Sequence, residues 1–232
     1  MKALLFDGKY TTVLNEKYAD RVSIIEEINH MTGELGKLME EHHSDDPFME
    51  TALQFALMNL ETPRCLLLVL AAGHVTQAYI LLRWHFEMTY LCRYLWQEPE
   101  EYEAWKNDKR VKPENIGKFF IDIGLPSGRE QYEEWCNIVH GNYNFVHQSH
   151  LLSVMGPIKP HSVMIVGEVL NCLMANSQRM NSVFLNLLKN GGITTDDIER
   201  RFDEIGDRVI KALEDQNTIY AEFIRDNQTQ RK

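Results

Sequence analysis

The sequence predicts an all-α protein, folded as a single-domain, multi-helix, up-and-down bundle. Three observations predict it. Apolar residues recur at steps of three and four over long stretches, the pattern of amphipathic helices. Only 13 glycines and 7 prolines occur in 232 residues, which leaves room for long unbroken helices. No stretch keeps the two-residue alternation of a half-buried strand.

The elements follow in order. Leu14, Tyr18, Val22, Ile25, Ile28, Leu35 and Met39 form one apolar stripe, with a doubled step across Thr32, and predict a helix from about Asn15 to His43. Ser44 to Pro47 breaks it, and Asp46 reads as the N-cap of a second helix with Pro47 at its first position. That helix should reach Ala72, bend or break near Thr62-Pro63, and stop at Gly73. A third helix, Val75 to Gln97, is apolar nearly all round and belongs in the middle of the bundle.

Glu98-Pro99 opens a short acidic helix with Tyr102 and Trp105, and another short helix is expected around Glu114 to Ile121. Gly124, Pro126 and Gly128 mark a loop. Ser127 to His150 reads as helix, weakened at Gly141 and Asn142, and Leu151 to His161 as a connection. A long helix over His161 to Lys189 ends at Asn190-Gly191-Gly192. Thr194 or Thr195 then caps a last helix with the stripe Ile198, Phe202, Ile205, Val209, Leu213, Tyr220 and Phe223. Residues 1–226 are expected to form the domain, and 227–232 a disordered polar tail.

Charge and cysteines narrow the setting. A net charge of −10 gives no general attraction to nucleic-acid phosphates. The best basic patch, Lys106, Lys109, Arg110 and Lys112, follows the acidic run Glu98, Glu100, Glu101 and Glu103, and both read as solvated surface. Cys65, Cys92, Cys136 and Cys172 are scattered among apolar residues, as buried reduced cysteines are. Met1 to Asp7 is too short an apolar start for a secretory leader, so a cytoplasmic location is expected. The most apolar run, Cys65 to Gly73, is about half of the ~20 residues that cross a bilayer, so no membrane association is expected.

Two constellations could carry chemistry. Arg83 and Glu87 sit four apart on the most apolar helix, within reach of each other. A charge inside a bundle must be paired, so they form either a register-fixing ion pair or a site wall in which Arg83 holds an anion and Glu87 orients a base. The second is His140, His147, Ser149 and His150. His147 is the candidate general base, and His140, Ser149 and His150 are candidate ligand contacts. The HExxH arrangement is absent and no metal or other cofactor is expected. Glu26, His30 and Glu34 share a face with no second copy of a carboxylate-histidine pair, so they read as solvated. No phosphate loop, dinucleotide fingerprint or nucleophile elbow is present.

Gly73 and Ala78 before Arg83-x-x-x-Glu87, the acidic-then-Trp segment Pro99 to Trp105, and Val146-His147-Gln148-Ser149 together resemble a family of uncharacterised bacterial helical proteins. The resemblance covers about Leu60 to Ser149. That family is in turn distantly similar to the HEPN helical domains, some of which cleave RNA as dimers. The resemblance implies a HEPN-like core with extra helices. Catalytic HEPN domains carry Arg shortly before His on one late helix. Here positions 141–146 are Gly, Asn, Tyr, Asn, Phe and Val, so Arg83 would have to stand in.

Two functions follow as expectations. One is a regulatory or ligand- or partner-binding module with an Arg83, Glu87 and His147 cluster, forming a homodimer through surplus apolar surface on the helix His161 to Lys189. The other is a metal-independent ribonuclease or nucleotide-acting defence protein of HEPN type, with RNA as substrate.

Overall fold

A computed structural model of the chain describes residues 10–42, 46–112, 158, 160–216, 218–219 and 221. These residues form seven helices and, among them, no strand: α1 (Thr11–Lys17), α2 (Ala19–Glu41), α3 (Met49–Ala71), α4 (Val75–Gln97), α5 (Pro99–Lys106), α6 (Pro160–Asn190) and α7 (Asp196–Glu214). The all-α multi-helix bundle is therefore as expected. The helix expected at Glu114 to Ile121, the loop at 124–128, the helix Ser127 to His150 and the 227–232 tail lie outside the described residues.

The boundaries show where local chemistry prevails. The first expected helix is two, parted at Tyr18, whose φ of −128° and ψ of 21° leave the helical region. Asp46 is not the N-cap: its Oδ1 accepts the Phe48 N–H at 2.8 Å just ahead of the helix, Phe48 takes the cap position, and α3 begins at Met49. Pro63 does not break α3, which runs through it. Proline forfeits one ladder bond, here the one to the Asn59 carbonyl, and the packed faces around it keep the rod together. Gly73, at φ 88°, ends the rod with His74 N–H on the Val69 carbonyl at 3.0 Å. Thr195 stands at the N-cap of α7, yet its hydroxyl donates to Glu199 Oε1 at 2.7 Å and makes no bond to the helix backbone.

Hydrogen bonds between helices fix their directions. Gly36 lies beside Ala56 and Thr32 meets Asn59, a near-constant sum, so α3 runs antiparallel to α2. The short turn through Gly73 then sends α4 back along α3, where His85 meets Asn59. Arg21 with Asn171 and Thr32 with Asn181 keep a near-constant separation, so α6 runs parallel to α2. Glu34 with Arg201 and Glu27 with Arg208 keep a constant sum, so α7 returns antiparallel. The central rod is α6, which packs on α2, α3, α4 and α7 together. Val166, Leu170, Leu173, Met174, Met180 and Phe184 on it are fully buried. Each such side chain contributes about 1.5–3 kcal/mol of burial.

This corrects four readings. The middle of the bundle is α6 and not α4, which leaves Ile80 46% and Trp84 38% exposed. The apolar surplus of α6 is buried against helices of its own chain. Leu213 leaves the last stripe at 44% exposure, and buried Ala212 takes its place. Cys65 is also exposed, while Cys92 is buried as expected and Cys172 half-buried. One described helix, α3, is long and apolar enough to cross a membrane by length and composition, with Ala52, Phe55, Leu66 and Leu67 of that helix in the core.

Candidate functional site

The polar chemistry of this bundle divides into a sealed interior and a half-open flank. The interior centre is His85. On α4 it lies two residues from Arg83, and two helical steps turn a side chain to nearly the opposite side. His85 thus points into the junction of α3 and α6 and is 0% exposed. Its Nε2 is 2.8 Å from Asn59 Oδ1 and 3.4 Å from Ser177 Oγ.

Asn59 fixes the tautomer. Its Nδ2 donates toward Thr32 Oγ1 at 3.2 Å, the Ser177 carbonyl at 3.3 Å and Asn181 Oδ1 at 3.2 Å. A carbonyl can only accept, so Nδ2 faces Ser177 and Oδ1 faces the histidine. His85 Nε2 therefore carries the proton and donates it. Thr32 Oγ1 and Asn181 Nδ2 close the ring on the Ile28 carbonyl at 2.9 and 3.3 Å. Burial alone pushes the imidazole pKa down from 6.5 to about 4, so His85 is neutral at pH 7. Its Nδ1 lone pair meets no partner among the described residues.

A second interior set lies one end further along. Arg21, 3% exposed, donates from Nε to Asn171 Oδ1 at 2.8 Å and from Nη2 to the Ala212 carbonyl. Its guanidinium stands 5.1 Å over the Tyr18 ring. Burial lowers the Arg21 pKa, opposed by Tyr18, Asp215 and Asp20. The Tyr18 hydroxyl donates to the Val163 carbonyl at 2.7 Å, and burial raises its pKa. These groups tie α2, α6 and the end of α7 together.

The flank carries the residues singled out in the sequence. Arg83 Nε donates to Glu87 Oε1 at 2.9 Å, with the side chains 17% and 34% exposed. The pair is as expected, but it lies on the side of α4 and not in the core. Tyr90, three residues beyond Glu87, continues that stripe. Arg179 on α6 reaches across to it, with Nη1 3.1 Å from Tyr90 Oη and 3.2 Å from Asn176 Oδ1. His140, His147, Ser149 and His150 lie outside the described residues.

The carboxylate face of α2 is used differently from expectation. His30 is 3.5 Å from Glu34, but Glu34 also pairs with Arg201, and Glu27 is 2.5 Å from Arg208. These pairs clip α7 onto α2. No described group of three His, Cys, Asp or Glu could hold a metal ion.

Sequence reasoning missed His85, Asn59 and Asn181. The signal was the doubled step at Thr32: a polar residue occupied a slot where the stripe demanded an apolar one. No protein-family model matches the chain, and no curated protein or solved structure matches it either.

Proposed function

We propose that this protein is a regulatory helical module that binds a ligand or a partner segment along the flank of α4 and does no chemistry with its core. One observation carries the reading. The single imidazole of α4 is turned where no substrate reaches it, 0% exposed and bound to Asn59, while Arg83 and Glu87 stand partly open on the side. A general base must meet the proton it takes within hydrogen-bond reach, and His85 meets only its own bundle. The partly open flank offers a guanidinium and a carboxylate already oriented by each other, which suits recognition.

The test is thermal unfolding of wild type and Arg83→Gln in a panel of nucleotides, sugar phosphates, keto acids and amino acids. At least one compound should raise the wild-type Tm, with the rise lost in Arg83→Gln. A panel that leaves the wild type unmoved sinks the reading. RNA cleavage by the purified protein, stopped by His147→Ala, would replace it with the ribonuclease reading that the HEPN resemblance implies.

A further inference from the structure

Resting on the binding-module reading, we propose that the seam between α4 and α6 is an oxyanion site that takes the phosphate group of a small ligand. Its charged walls are Arg179 and Arg93, and its neutral donor is the Asn176 carboxamide nitrogen.

The helices set the donors side by side. On α6, Asn176 and Arg179 are three apart, and on α4, Tyr90 and Arg93 are three apart, so each pair shares a face. The two helices pack against each other, and Arg179 Nη1 bridges them at 3.1 Å from Tyr90 Oη. Arg179 and Arg93 are the two cations that act on the Tyr90 hydroxyl, and both are only partly buried, so solvent reaches them.

Asn176 supplies the independent pointer. The residue is 2% exposed. Its Oδ1 accepts from Arg179 Nη1 at 3.2 Å, which turns the amide nitrogen the other way. That Nδ2 is buried and has no hydrogen-bond partner among the described residues. An unpaired buried donor is disfavoured unless an acceptor arrives from outside.

The guanidinium shows the same incompleteness. Arg179 bonds through Nη1 alone, so its Nε–Nη2 edge is open toward any described residue. That edge is the fork which binds an oxyanion through two parallel hydrogen bonds. Neither Arg179 nor Arg93 forms an ion pair with a described carboxylate, in contrast to Arg83, Arg200, Arg201 and Arg208. Two cations without a described carboxylate partner, beside an unpartnered amide donor, match a phosphate group of about −1.5 to −2 charge better than a single carboxylate.

The experiment is a titration with inorganic phosphate at fixed pH and ionic strength, against chloride and acetate, read by calorimetry and by Tm. Wild type should show saturable binding and a Tm rise with phosphate that chloride does not give. Arg179→Gln and Arg93→Gln should weaken phosphate at least tenfold, while Arg200→Gln on α7 should not. Asn176→Asp places a carboxylate beside Arg179 from within; it should raise Tm in phosphate-free buffer and abolish the phosphate response. Equal Tm in phosphate and chloride overturns the proposal, as does undiminished binding by both Arg179→Gln and Asn176→Asp. Acetate binding as tightly as phosphate overturns the phosphate assignment. A silent phosphate titration, with an Arg83-dependent response elsewhere in the compound panel, removes this site and leaves the module reading intact.

Discussion

His85 holds one ring nitrogen against Asn59 and leaves the other without a partner, and both facts bear on its proton affinity. In the unfolded chain an imidazole takes a proton near pH 6.5; in the bundle it resists until about 4. Between those values protons bind the unfolded chain preferentially, so stability falls as pH drops through that window. Above pH 6.5 this group contributes no slope. The full loss is about 3 kcal/mol. Urea denaturation at pH 7.5 and 4.5 should show it. His85→Leu should cost about 1–3 kcal/mol at pH 7.5, because Asn59 Oδ1 loses its donor, and should flatten the window. Parallel pH curves for the two proteins would contradict the assignment. The sequence made Arg83 and Glu87 visible because two opposite charges at i and i+4 announce a pair. His85 was not visible, because its partners come from α3 and α6, and no spacing within one helix reports them. Only the polar intrusion at Thr32 marked the place.

At the scale of elements, the helices were legible from periodicity and their termini less so. Tyr18 looked like one more residue of a stripe, yet it leaves helical geometry so that its hydroxyl can reach Val163 on α6. The clip between α2 and α7 was legible in principle: Glu27 and Glu34 are seven apart, and so are Arg201 and Arg208. Two matching seven-residue spacings of opposite charge suit antiparallel neighbours. Close approach was not legible at Gly167. A Cβ there would overlap the Gln216 carboxamide and lie 2.5 Å from the Tyr18 hydroxyl oxygen. Both are held, Tyr18 by the Val163 carbonyl and Gln216 by the Met164 carbonyl at 3.2 Å. Alanine normally gains about 1 kcal/mol over glycine inside a helix. Here the overlap should reverse the sign, and Gly167→Ala should lose about 1–3 kcal/mol in chemical denaturation. Adding Gln216→Ala should recover part of the loss. A more stable Gly167→Ala protein would show that α6 has room on this face.

For the whole molecule, burial sorts the cysteines into surface and interior reporters. Cys65 is exposed on α3, whereas Cys92 is 0% exposed and burial pushes its thiol far above the usual range. Under native conditions an aromatic disulfide reagent should modify Cys65 quickly. Cys92 should react only at the rate of global opening, and should accelerate with urea as the bundle unfolds. Mass spectrometry of the labelled chain would separate them, and equal native rates would mean that the α4 interior is accessible. The fold class was legible because helical periodicity is local. Which helix is central was not, since composition made α4 and α6 look alike and only the count of neighbours distinguishes them. The same ambiguity made α6 look like an oligomer surface when its apolar faces are used inside the chain.

Because the rod that completes the interior is encoded late, the protein has an awkward interval while it is being made. The ribosome finishes α4 at residue 97 and α6 only at residue 190. At about 5–20 residues per second, this leaves some 5–20 seconds in which α2, α3 and α4 are out without their fourth wall. During that interval Asn59, Thr32 and His85 line an open greasy trough instead of a closed ring.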